Sequence, residues 1–159
     1  MLGSAMPLHF ILVTIAALGG LQELSQAADP LAHVRQVYVE PFSGKAGAVQ
    51  FREGVIAQLR KLASITVVSD KSAADAVLSG NGDIYVKGYR SLNPRSGRSP
   101  SNGTPVYGGY LSLELTDAKG EPLWSYLETS SGSEEIAKDL SKKIVKRLGD
   151  AIASAGARL

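Results

Sequence analysis

The chain contains no cysteine, which excludes disulfides, thiolate metal sites, cysteine nucleophiles and lipid attachment through a cysteine. Histidine is nearly absent too. His9 falls in an apolar N-terminal segment and His33 stands alone, so a histidine-built metal site is excluded and no metal or cofactor is expected. A surplus of one charge is also missing. Lys and Arg number 17 against 15 Asp and Glu, a formal net charge of +2. A dedicated nucleic-acid binder needs many more cations to neutralise phosphates, so no nucleic-acid partner is expected. Hydrophobic residues make up 44 % and charged residues 20 % of the 159, the proportions of a folded globular chain. The length suits one domain around one core.

The first 28 residues read as an address. Phe10 to Leu18 is apolar, Gly19-Gly20 breaks the run, and polar residues lead to Ser25-Gln26-Ala27-Ala28, whose small side chains suit signal peptidase. The apolar run is too short to cross a hydrocarbon core about 30 Å thick. The expectation is a signal peptide over 1–28, a single domain over 29–159, and a bacterial exported chain, periplasmic or secreted. No Lys or Arg precedes the apolar run, so an uncleaved anchor is the alternative. Cleavage removes one charged side chain, Glu23, and leaves the mature chain slightly more basic.

Along the mature chain, Val34 to Phe42 is β-branched and aromatic and ends at Pro41, which predicts a strand. From Ala46 to Ala63, the positions Ala48, Phe51, Val55, Leu59 and Leu62 recur at spacings of three and four, which predicts an amphipathic helix. Ile65 to Val68 predicts a second strand, parallel to the first through a right-handed crossover. A helical turn over Lys71 to Asp75, capped by Asp70 or Ser72, leads into Ala76 to Arg90. Gly80-Asn81-Gly82 interrupts that stretch, and glycine within a strand marks a bulge or a close backbone approach, so one long bent strand is expected.

Leu92 to Pro105 holds three prolines, several serines, Arg95 and Arg98 and little to bury, which predicts a long flexible loop. Val106 to Thr116 and Pro122 to Thr129 follow as a hairpin turning at Asp117-Ala118-Lys119-Gly120. Ser131 with Glu134 fits a capping box for a last helix running to about Ala155. Its apolar stripe is Ile136, Leu140, Ile144, Leu148 and Ile152. The pairs Glu134–Lys138, Asp139–Lys143 and Lys146–Asp150 would neutralise much of its basic side, leaving at most weak contact with an anionic membrane. The fold class expected is mixed α/β, a β-α-β-(short α)-β-β-β-α order packed as two layers.

Residue types for catalysis are scarce. Glu40, Asp70, Asp75 and Asp83 are candidate acids, but each falls at a strand end, cap or turn where an acid has a structural use. No catalytic residue is assigned and a non-enzyme is expected. A carboxylate-dependent envelope hydrolase, requiring two of these acids together, such as Asp75 and Asp83, is the alternative from another class.

The aromatics are more informative. Strand alternation directs Ile84 and Val86 to the core with Leu111, Leu113 and Leu115. It leaves Tyr85, Lys87, Tyr89, Tyr110, Ser112, Glu114, Trp124 and Tyr126 on the opposite side. With Arg90, Arg95 and Arg98 beside it, this aromatic face would suit a protein or glycan partner. The candidate partner-binding residues are therefore Tyr85, Tyr89, Arg90, Arg95, Arg98, Tyr110, Trp124 and Tyr126. The alternatives are ordinary cross-strand packing and a homo-oligomeric envelope assembly using the open sheet for self-association.

Several motifs resemble a group of bacterial envelope domains that includes the curli secretion lipoprotein CsgG, the penicillin-binding-protein activator LpoB and the amino-terminal domain of TolB. They are Val37-Tyr-Val-Glu-Pro-Phe42, Gly54-Val55-Ile56 with Leu59, Val67-Val68-Ser-Asp70, Ala74-Asp-Ala-Val-Leu-Ser-Gly80 and Gly120-Glu-Pro-Leu-Trp124. The similarity spans about Val34 to Ile152. The lipoprotein members need a cysteine that this chain lacks. The resemblance implies a soluble, free-standing, non-catalytic adaptor.

Overall fold

The computed structural model describes residues 29–45, 47–90, 103–132 and 135–158. The expected signal segment, Arg95, Arg98, Glu134 and the stretch 92–102 of the expected loop lie outside these residues. The elements are β1 (Gln36–Val39), α1 (Ala48–Leu59), β2 (Thr66–Val68), β3 (Ala76–Arg90), β4 (Thr104–Asp117), β5 (Pro122–Ser131) and α2 (Ile136–Gly156). Short 3-10 turns at Pro30–His33 and Lys71–Ala73 lead into β1 and β3. The sheet runs β2-β1-β3-β4-β5. β1 is parallel to both β2 and β3, while β3–β4 and β4–β5 are antiparallel. This is the mixed two-layer α/β domain expected from the sequence.

The local chemistry explains most boundaries. Asp70 caps the turn before β3, its Oδ1 accepting from the Ser72 amide at 2.9 Å. Asp75 ties the starts of β1 and β3 together, one carboxylate oxygen accepting from the Arg35 and Gln36 amides at 3.0 and 2.8 Å. Gly120 closes the β4–β5 hairpin with φ +88°, a left-handed conformation that favours glycine. Gly82 meets the need for close approach in β3: a Cβ there would lie 2.8 Å from the Phe51 ring.

Both helices lie on one face of the sheet. Phe51, Val55 and Leu59 of α1 and Leu140, Ile144, Leu148 and Ile152 of α2 pack on Val37, Val39, Ala76, Leu78, Leu111, Leu113 and Leu115. Each of these side chains larger than Ala76 stabilises the fold by roughly 1.5–3 kcal/mol. The helices touch closely at Gly54, where an added Cβ would sit 2.6 Å from Ser141 Oγ. The buried Ser141 hydroxyl donates to the Phe51 carbonyl at 3.4 Å.

Two local expectations are corrected. Ser131 does not cap the last helix: it ends β5, and α2 starts five residues later, after Glu135, without a side-chain cap. β4 starts at Thr104 rather than Val106, because Thr104 and Pro105 already pair with Arg90 and Tyr89 of β3.

Candidate functional site

With both helices on one face, the described residues leave the other face of the sheet open. The register assigns its side chains. Leu111, Leu113 and Leu115 are buried under the helices, so Tyr110, Ser112, Glu114 and Thr116 alternate to the open side. Their β3 partners are Asp83, Asn81, Ser79 and Val77, and Tyr85 pairs with Gly108 one step further. A Cβ at Gly108 would lie 2.8 Å from the Tyr85 ring, so glycine there lets the tyrosine lie across the strand. β1 contributes Tyr38, between the buried Val37 and Val39.

A polar chain crosses this face. The Tyr110 hydroxyl donates to Asn81 Oδ1 at 3.2 Å, and Asn81 Nδ2 donates to Ser43 Oγ at 3.0 Å. The Ser43 hydroxyl donates in turn to the Gly80 carbonyl at 3.3 Å. Ser43, Gly80 and Asn81 line a shallow groove of about 400 Å³ together with Glu40, Ser79, Ser112 and Glu114. The surface is rich in hydroxyl, amide and phenol groups, which present both donors and acceptors.

The predicted binding residues divide into three sets. Tyr85 and Tyr110 lie on the open face, and Tyr85 is half exposed. Arg90 pairs with Thr104 at the far end of β3 and is exposed. Its register places it on the same side.

Trp124 and Tyr126 do not join this face, which corrects the sequence expectation. They pair with Leu115 and Leu113 and therefore lie on the helix side. A register shift between Leu115 and Thr116 sets this parity. The two rings stack with centroids 6.1 Å apart, and Trp124 packs against the core.

Tyr89 is also displaced. A shift between Val86 and Gly88 leaves Lys87 without a β4 partner and gives Tyr89 the parity of Tyr107, on the helix side. Val86, expected in the core, is 47 % exposed, because the β3–β4 hairpin runs on past the helices. Arg95 and Arg98 lie outside the described residues.

The two acids that the hydrolase alternative would bring together are held apart. Asp75 and Asp83 are eight residues distant along an extended segment, about 27 Å at roughly 3.4 Å per residue. Glu40 pairs with Lys71 at 2.6 Å, and this carboxylate raises the Lys71 pKa above its ordinary value. The Ser72 backbone amide, then its hydroxyl, holds the Asp70 carboxyl below the usual aspartate range. Asp83 accepts from the Ile84 amide at 2.9 Å. A larger cavity of about 740 Å³ opens on the helix side among Gln50, Gly54, Ile84, Tyr107, Ile136 and Lys138, with Glu135 its one acid among the described residues. No group of three or more His, Asp or Glu that could hold a metal ion occurs among the described residues.

On α2, Lys146 pairs with Asp150 at 2.9 Å, as the spacing predicts. Lys138 pairs with Glu135 at 2.7 Å, whereas its expected partner Glu134 lies outside the described residues. No helix among the described residues is long and apolar enough to cross a membrane.

Sequence alone missed Tyr38, Ser43 and Asn81 as members of the open face. Tyr38 was accessible through its alternation with Val37 and Val39. Ser43 and Asn81 meet through a bridge between distant segments, which no local pattern announces.

No family model matches the chain and no curated protein matches it in sequence. Solved structures are similar to it. A neuraminyllactose-binding hemagglutinin homolog from Helicobacter pylori is 12 % identical with a TM-score of 0.50, covering 80 % of this chain and 87 % of that one. A PelC dodecamer from Paraburkholderia phytofirmans is 22 % identical with a TM-score of 0.47, covering 74 % and 88 %. A DUF330 protein from Xanthomonas campestris is 11 % identical with a TM-score of 0.47, covering 79 % and 86 %. The Helicobacter likeness shows a shared architecture. None of the three is a curli-secretion, penicillin-binding-protein-activator or TolB domain.

Proposed function

We propose that the chain is a non-catalytic, exported binding module of the bacterial envelope, docking a protein or glycan partner on the open face of its sheet. The observation that carries the reading is the juxtaposition of Tyr85 and the Ser43–Asn81–Tyr110 chain on a face that neither helix covers. Tyrosines offer large contact area at low entropic cost, and the hydroxyl and amide groups between them supply adaptable hydrogen bonding. Arg90 adds a cation at the far end. The export-type N-terminal segment and the envelope-domain motifs support the location. The separation of Asp75, just before β3, from Asp83 within it argues against a hydrolase built on that pair.

The test is retention of the purified chain on envelope fractions. Tyr85→Ala with Tyr110→Ala should reduce retention at least about tenfold, the equivalent of about 1.4 kcal/mol. Val49→Ala, on the exposed side of α1, should leave it unchanged. Equal retention of all three proteins would overturn the reading.

A further inference from the structure

β5 is the outer strand of the sheet, and among the described residues no hydrogen bond reaches its outer edge. Which backbone groups are free follows from one contact. The Gly132 amide donates to the Tyr107 carbonyl at 2.9 Å, which in the β4–β5 register makes these two a hydrogen-bonded pair. Such pairs recur at every second residue of an antiparallel ladder. Trp124, Tyr126, Glu128 and Ser130 therefore bond to β4, and Ser125, Leu127, Thr129 and Ser131 turn their amides and carbonyls outward.

Natural sheets blunt a free edge with lysine, proline, bulges or brevity. From Trp124 to Ser131 the edge has no lysine, proline or bulge, its ladder with β4 is regular, and its single charge is Glu128, on the helix side opposite Leu111. Leu127, at its middle, is 57 % exposed. The opposite edge, β2, is only three residues long.

We propose that β5 pairs antiparallel with β5 of a second copy about a two-fold axis at Leu127, joining two five-stranded sheets into one of ten strands. Charge complementarity fits a second copy and selects this register. Glu128 is the one charged residue of β5. Pairing about Leu127 places it opposite Tyr126 of the second copy, whose ring lies under an Arg147 guanidinium at 5.7 Å. Each copy thus offers the cation that the other's Glu128 meets. Ser125 falls opposite Thr129, outward-facing groups meet outward-facing groups, and the two Leu127 side chains cover one another. Centring the pair one residue later would set Glu128 against itself. Dimerisation at this edge is independent of what the open face binds.

The absence of cysteine makes the test specific. In the intact chain, Leu127→Cys should form a disulfide-linked dimer on mild oxidation, since Cα atoms of a hydrogen-bonded pair lie about 5.5 Å apart. Ser125→Cys alone should not crosslink, its two copies being about 13 Å apart along the strands. Mixing Ser125→Cys and Thr129→Cys chains should. In sedimentation, the unmodified chain should dimerise, and Leu127→Lys should weaken association at least about tenfold with its circular dichroism unchanged. Glu128→Arg should weaken it, and adding Arg147→Glu should restore it. A monomer at every concentration would overturn the proposal, as would a dimer in which Ser125→Cys or Tyr89→Cys crosslinks as readily as Leu127→Cys.

Discussion

The guanidinium carbon of Arg147 sits 5.7 Å from the centroid of the Tyr126 ring. That contact ties α2 to β5, and Tyr126 stacks on Trp124 behind it. These two aromatics thus hold the helical layer on the sheet instead of facing solvent together on the other side. Arg147→Ala should lower stability by about 0.5–1 kcal/mol, the range for an exposed cation–π contact. Urea unfolding followed by the fluorescence of Trp124, the one tryptophan of the chain, measures it.

Phe51 is the large side chain at the centre of the layer interface and is fully buried. Phe51→Ala should cost about 3–5 kcal/mol through lost transfer energy and the cavity left behind. Gly82→Ala attacks the same contact from the sheet, pushing a methyl against the Phe51 ring, and should cost about 1–3 kcal/mol by overpacking. Chemical denaturation of both variants checks the pair.

Asp75 is read as a staple between strands. Asp75→Ala removes the acceptor for the Arg35 and Gln36 amides and should cost about 1–3 kcal/mol, since two bonds to a charged group are lost at an exposed site. Retention on envelope fractions should not change, since Asp75 lies away from Tyr85 and Tyr110. A loss of retention at full stability would contradict this assignment.

The turn before β3 should be sensitive to acid. The Asp70 carboxyl is held below its ordinary value by the Ser72 amide and then the Ser72 hydroxyl. Its contribution is therefore complete above the ordinary aspartate pKa of about 3.9 and is lost as the pH falls through the lowered folded value. A carboxyl-carbon NMR titration should place the Asp70 midpoint below that ordinary value. Asp70→Asn should abolish that part of the acid response.

Much of this was legible because it is local. Ile136, Leu140, Ile144, Leu148 and Ile152 recur every four residues, and all five are buried in α2. The Gly120 turn and the close approach at Gly82 followed from residue type. What escaped depends on register, which is set between strands. A shift beside Leu115 determined which side Trp124 and Tyr126 face, and a bulge at Lys87 moved Tyr89 away from Tyr85. A one-residue slip reverses every side chain beyond it, and alternation within one strand does not reveal it. The Ser131–Glu134 motif failed for a related reason: β5 pairs with β4 as far as Ser131, so sheet pairing takes the residue that a helix cap would have used.

In the proposed docking mode the open face, and not the helix side, meets the partner. A photo-crosslinking residue placed in turn at Tyr85, Tyr110 and Tyr126, in the chain expressed in its native host, distinguishes the two sides. One common adduct is expected from Tyr85 and Tyr110, and none of it from Tyr126. The same adduct from all three positions, or none from any, would overturn the proposed docking mode.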